Sequence, residues 1–245
     1  MKRIFTGAVF VAVLVVLCQN AFAQSDSRDD LLKQIEAKRA ELAVLERQIL
    51  EPSEEDRIAY ADFLQQPNTG IVRLLPREKH DDQAYKDLPK SGITIRGGGA
   101  YYSFTRLSHE YGNGTHIGLE QGQLSTSFAG ADYGMLANLG DVPLEAVNLE
   151  HPIVKFLASY ESASEEPGAR SEFARFRSGV SIDGMNCKTQ LPATVNNSYV
   201  LRGIHYSDSD VLVAFRVVRK DTDGSVVIVW KMLKKYPTPK LARNS

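Results

Sequence analysis

Residues 199–236 read YVLRGIHY, SDSD, VLVAFRVVRK, DTDG and SVVIVWKMLKKY in succession. Three runs rich in Val, Ile, Phe, Tyr and Trp are parted by two clusters of Ser, Asp, Thr and Gly, the composition of strands joined by tight turns. The pattern predicts a three-stranded antiparallel meander. Side chains alternate across a strand, so Val211, Val213, Phe215 and Val217 share one face of the middle run, and Leu212, Ala214 and Val218 the other. Both faces are apolar, which predicts a central strand covered on both sides. On this reading Phe215 is core, and Asp223 stands in a solvent-facing turn where a substitution costs little.

Upstream of the meander the chain alternates strand and helix signals. Ile93–Arg106 reads as a strand running through Gly97-Gly98-Gly99 into Tyr101, Tyr102 and Phe104, and Tyr111-Gly112-Asn113-Gly114-Thr115 as a hairpin tip that returns through Ile117 and Leu119. Gln123–Phe128 is a further short strand, and Gly130–Asp141, spaced with glycine, reads as irregular. Pro152–Tyr160 is a helix with proline in its first turn. Glu165–Arg177 is an exposed helix whose acids come first and whose arginines come last, as the helix dipole favours. Gly179–Thr194 is loop or edge strand.

The N-terminus sets the expected compartment. Lys2 and Arg3 precede an almost wholly apolar run, Ile4–Cys18, and Ala21-Phe22-Ala23 offers small residues at the two positions a signal peptidase reads. Cleavage before Gln24 is expected, giving a secreted or periplasmic protein with no transmembrane segment after the leader is removed. Leu17 before Cys18 does not suit lipidation. Loss of Lys2 and Arg3 makes the formal net charge of −1 more negative by two, which is too near neutral to argue for nucleic acid. Cys187 is then the only thiol left, so no intrachain disulfide can form.

From Asp29 to Leu50 the residues Leu31, Ile35, Lys38, Leu42, Leu45 and Ile49 follow steps of four and three, a coiled-coil-like seam broken only by Lys38. Asp29 and Asp30 suit a helix start and Pro52 a stop. The seam can pack on its own chain, or Leu31, Ile35, Leu42, Leu45 and Ile49 can join copies into a homo-oligomer. Ser53 and Asp56 form a capping pattern for a second helix through Leu64. The expected organisation is a leader (1–23), a helical segment (24–66), a linker (67–92), a β-rich domain (93–236) and a basic, frayed tail (237–245). The fold class is α+β, with a helical segment ahead of a mostly antiparallel sheet and flanking helices.

Residues that suggest chemistry are few. Gly97, Gly98 and Gly99 lack the following helix and the spacing of a phosphate cradle. Glycine in a strand marks either a bend or a place where a ligand approaches the backbone. In the second case the triplet floors a groove walled by Tyr101 and Tyr102 and flanked by Arg106, which suits carbohydrate or an extended peptide better than a polyanion. His109, Glu110 and His116 cluster in sequence without the spacing of a metal site. Cys187 beside Lys188 has either the surroundings of an activated thiol or those of a small core residue. No cofactor motif is present, and Asp221-Thr222-Asp223-Gly224 lacks the remaining ligands of a calcium loop. Three functional classes follow: a non-enzymatic binding or structural module of the cell envelope, an oligomeric scaffold built on the 29–50 helix, and a hydrolase using Tyr101, Tyr102, Arg106, His109 and Glu110.

Overall fold

The computed structural model describes residues 5–81, 95–126 and 131–242, with side chains from residue 28 onward. It divides into two compact units, Met1–Ile49 and Leu50–Ser245. The first is carried by helix α1 (Phe5–Leu50). The leader expected at residues 1–23 lies outside the residues whose side chains are described. Asp29 and Asp30 lie inside α1 rather than at a helix start. Ser and Asp compete with helix only by bonding to nearby backbone, and QSDSRDD contains no Gly or Pro to force a break. Leu31, Ile35, Leu42, Leu45 and Ile49 are all exposed. Lys38, the polar member of their seam, donates to Glu41 at 2.8 Å.

The second unit begins with two short helices, α2 (Glu54–Ala59) and α3 (Ala61–Leu64). The capping box forms as expected: the Ser53 hydroxyl accepts from the Asp56 backbone N–H, and the Asp56 carboxylate accepts from that of Ser53. Phe63 is buried in the core of this unit, so α2 and α3 belong with the sheets rather than with α1.

Strand β1 (Thr69–Leu74) occupies part of the expected linker. Its apolar run is short and abuts charge, yet Val72 and Leu74 bury on one face while Ile71 packs on the other. That alternation makes it a strand. Then come helix α4 (Arg77–His80) and strands β2 (Tyr101–Ser103), β3 (Ser108–His109), β4 (Ile117–Glu120), β5 (Gln123–Ser125) and β6 (Tyr133–Gly140). Helices α5 (Pro152–Ser159) and α6 (Glu166–Ser178) precede strands β7 (Val180–Ile182), β8 (Met185–Lys188) and β9 (Gln190–Pro192). The meander closes the chain as β10 (Ser198–His205), β11 (Ser209–Lys220) and β12 (Val226–Lys235).

These strands make two antiparallel sheets, ordered β1-β12-β11-β10-β6-β8-β7 and β3-β2-β4-β5-β9. β11 is an interior strand of the first, third of its seven, as its two apolar faces require. Val211, Val213, Phe215 and Val217 pack against Tyr102, Phe104, Ile117, Leu119 and Leu124 of the second sheet. Leu212 and Ala214 point the other way, into a core shared with Phe63, Ile153, Leu157 and Phe176 of the helices. The unit is therefore helices, sheet, sheet in three layers.

Two further expectations are corrected. Gly130–Asp141 is not irregular: its described residues include β6, which pairs with β10 and β8. Gly134 looks like a breaker but is a close-approach residue, since a Cβ there would collide with Thr126. The tail is docked rather than frayed over its described residues. The Tyr236 hydroxyl donates to the Ala158 carbonyl at 2.8 Å, the Ser207 N–H to the Pro239 carbonyl at 2.8 Å, and the Ala242 N–H to the Ser164 carbonyl at 2.7 Å.

Candidate functional site

The glycine triplet is a packed turn. Gly97, Gly98 and Gly99 all have positive φ, at 82°, 59° and 73°, which accounts for glycine there without any ligand. A Cβ at Gly97 would lie 2.6 Å from the Tyr101 ring, one at Gly98 would strike the His80–Asp81 backbone, and one at Gly99 the Leu50 side chain. The turn leads into β2 and is tied to the end of β1, with the Leu75 N–H donating to the Gly99 carbonyl at 3.1 Å. The triplet is thus a bend, and the expected groove floor at Gly97–Gly99 is occupied by protein. Tyr102 is turned into the core between the sheets, edge-on to Phe104. Arg106 lies at a different place, holding Glu110 at 2.6 Å together with Asp208.

Tyr101 is the expected site residue that lines a cleft. Cross-strand register places Tyr101 opposite Gly118, Gly118 opposite Ser125, and Ser125 opposite Gln190. Side chains of one such row share a face, so Tyr101, Ser125 and Gln190 lie on the outer face of the second sheet, away from Ile117 and Leu124. Arg77 of α4, Tyr111, Glu120 of β4, Thr126, Thr189, and Phe173 and Arg177 of α6 complete the walls of a cavity of about 340 Å³. The floor is tied to α6 by backbone: the Thr126 N–H donates to the Thr189 carbonyl at 2.9 Å, and the Thr189 N–H to the Phe176 carbonyl at 3.2 Å.

The polar groups of this cleft are unequally satisfied. Arg77 bonds Asp81 and Glu120, each at 3.2 Å, and its guanidinium lies 5.6 Å from the ring centres of both Tyr101 and Tyr111. Burial raises the Tyr101 phenol well above its ordinary range, so it stays neutral. Arg177 is exposed and has no carboxylate partner among the described residues. Ser125 is only 4% exposed, yet its hydroxyl has no partner among the described residues, and the same holds for Thr126. A buried hydroxyl without a partner costs about 1–3 kcal/mol, a cost that a bound ligand or water can remove.

Apart from Tyr101, the residues of the hydrolase reading do not reach this cleft. The Phe104 N–H donates to His116 Nδ1 at 3.2 Å, so Nε2 carries the proton and donates to Ser209 Oγ at 3.1 Å. Ser209 in turn donates to Asp208 at 2.7 Å. A base would have to accept from that serine, so the order of donors runs the wrong way for nucleophilic activation. His109 bonds the Arg73 carbonyl at 2.7 Å and does not meet His116. Cys187 is fully buried, and burial pushes its thiol up to about 11, the behaviour of a core residue.

Burial holds His116 well below the ordinary imidazole range, with His205 and Arg106 adding to the effect, and burial likewise lowers His109. Both are neutral in the folded chain near neutrality, whereas in the unfolded chain they take up protons below about pH 6.5. Their stabilising share is therefore complete above about pH 6.5 and is lost as the pH falls. The limiting slope is about 1.4 kcal/mol per pH unit for each fully excluded proton. Urea titrations at pH 7.5 and 5.5 are expected to differ by about 1–2 kcal/mol in favour of the higher pH. Equal stabilities would show that these histidines accept protons while folded.

No motif marks Arg77, Glu120, Ser125 or Arg177, because α4, two strands of the second sheet and α6 bring them together from four separate segments. Comparison with protein-family models, curated protein sequences and solved structures finds no match to this chain.

Proposed function

We propose that the chain is an exported, non-enzymatic binding module of the cell envelope that takes a small polar ligand in the Tyr101–Ser125–Arg177 cleft. The observation that carries this reading is the unpartnered Ser125 hydroxyl, buried on the floor of a cleft with polar walls. Core positions are not left in that condition without a cost to stability, whereas binding sites often are. Export rests on the leader-like residues 1–23, and an intact mass beginning at Gln24 is its expected signature.

Ser125→Ala separates a ligand group from a structural one. It is expected to stabilise the fold by about 1 kcal/mol, because it removes a buried hydroxyl that nothing satisfies. It should also weaken binding of whichever sugar or short peptide emerges from a screen of envelope glycans and peptides. Destabilisation by Ser125→Ala, with binding unchanged, contradicts the reading.

A second reading has its own observation. Leu31, Ile35, Leu42, Leu45 and Ile49 keep coiled-coil spacing and are all exposed, which favours assembly of copies through α1. Light scattering with and without residues 24–49 decides it. A drop from oligomer to monomer on deletion supports the scaffold, and an unchanged mass removes it.

A further inference from the structure

The cleft carries a charge pattern that narrows the ligand. Two arginines reach it, but Arg77 is already committed to Asp81 and Glu120 and lies beside the rings of Tyr101 and Tyr111. Arg177 alone brings a cation with no carboxylate partner among the described residues, and Glu120 keeps a carboxylate in the same wall. That combination admits one negative charge and disfavours two, because a dianion would meet Glu120 without a second free cation in the lining.

The remaining polar lining is uncharged and can both donate and accept: the Ser125, Thr126 and Thr189 hydroxyls and the Gln190 amide. Such a surface pairs with neighbouring hydroxyls of a ligand, which also donate and accept. Tyr111 and Phe173 supply apolar surface for the C–H face of a ring. A volume of about 340 Å³ is at the small end of ligand sites and suits one or two sugar rings rather than a long chain.

We infer that the ligand is a sugar acid, a monosaccharide or disaccharide with one carboxylate, held by that carboxylate at Arg177 and by its hydroxyls at Ser125, Thr189 and Gln190. The inference rests on the cleft being the binding site and adds the ligand's charge and class. Arg177 acts as a charge selector, since it is exposed enough to swing onto the carboxylate, while the buried hydroxyls read the ring.

The test is calorimetric titration of the full chain with glucuronate, galacturonate, glucose, galactose, glucose 6-phosphate and a free dipeptide. A sugar acid is expected to bind about tenfold or more tightly than its neutral parent, a margin typical of one charge-assisted hydrogen bond. Arg177→Gln is expected to erase that margin, so that the acid binds no more tightly than its neutral parent, and Ser125→Ala to weaken both. If neutral sugars bind as well as the acids and Ser125→Ala weakens them, the cleft is the site but the charge inference is overturned. Preference for the phosphate or the dipeptide overturns the sugar-acid assignment. If no probe shows binding that Ser125→Ala alters, the sugar-acid assignment is overturned and the cleft itself loses its support.

Discussion

Phe215→Ala is expected to destabilise the second unit by about 3–5 kcal/mol. Phe215 is fully buried in the middle of β11, stacks on Tyr199 with ring centres 5.2 Å apart and planes 9° from parallel, and stands opposite Trp230 in the β11–β12 register. Truncation removes the ring from the core between the two sheets, where backbone on both sides limits collapse into the cavity. Tyr199 loses its stacking partner as well, although its hydroxyl remains fixed between the Pro192 carbonyl at 2.7 Å and the Thr194 N–H at 3.0 Å. Denaturant titration measures the loss directly, and a value under about 1 kcal/mol would displace β11 from the centre of the fold. Asp223, the exposed-turn comparison, costs more to replace than its position in DTDG suggests. Its carboxylate accepts from both the backbone and the hydroxyl of Ser225 at 2.8 Å, and Arg73 lies 3.6 Å away.

Asp210→Ala is expected to cost a similar amount by a different route. Arg202 is 2% exposed and donates to Asp210 at 2.5 and 2.9 Å and to the Leu157 carbonyl at 2.7 Å, with the Tyr236 ring centre 3.3 Å from its guanidinium carbon. Removing the carboxylate leaves a buried cation whose desolvation is no longer offset, a change that costs about 3–5 kcal/mol. Replacing both partners with apolar residues, as in Arg202→Met with Asp210→Leu, is expected to recover much of that loss. Arg202→Met, Asp210→Leu and their double variant, compared by thermal and denaturant unfolding, form the cycle. A double variant no more stable than Asp210→Ala alone would mean that the pair's hydrogen bonds, rather than the orphaned charge, carry the energy.

The sheet centre was legible because its signal is local: period-two alternation in β11 and turn residues at 207–210 and 221–224 describe the meander within forty residues of chain. The Ser53–Asp56 capping box and the Pro52 stop were legible for the same reason. β1 and β6 were not. In β1 the apolar run is brief and gains its strand character only by pairing with Val226–Lys231. In β6 two glycines and an alanine give poor intrinsic preference, and pairing with β10 and β8 overrides it. The site was half legible through Tyr101, an aromatic beside a glycine turn. Its partners Ser125, Gln190 and Arg177 are spread along the chain, and only the register of the second sheet and the seating of α6 bring them to one cleft.

Amide shift mapping during titration with the tightest ligand from the screen shows where on the chain that ligand binds, whether in the cleft on the outer face of the second sheet or elsewhere. The largest changes are expected on Ser125, Thr126, Thr189 and Gln190, with the Gly97–Gly99 turn little affected. Largest changes confined to Gly97–Gly99 or to Asp29–Ile49, with the four cleft amides unmoved, would contradict binding in the cleft.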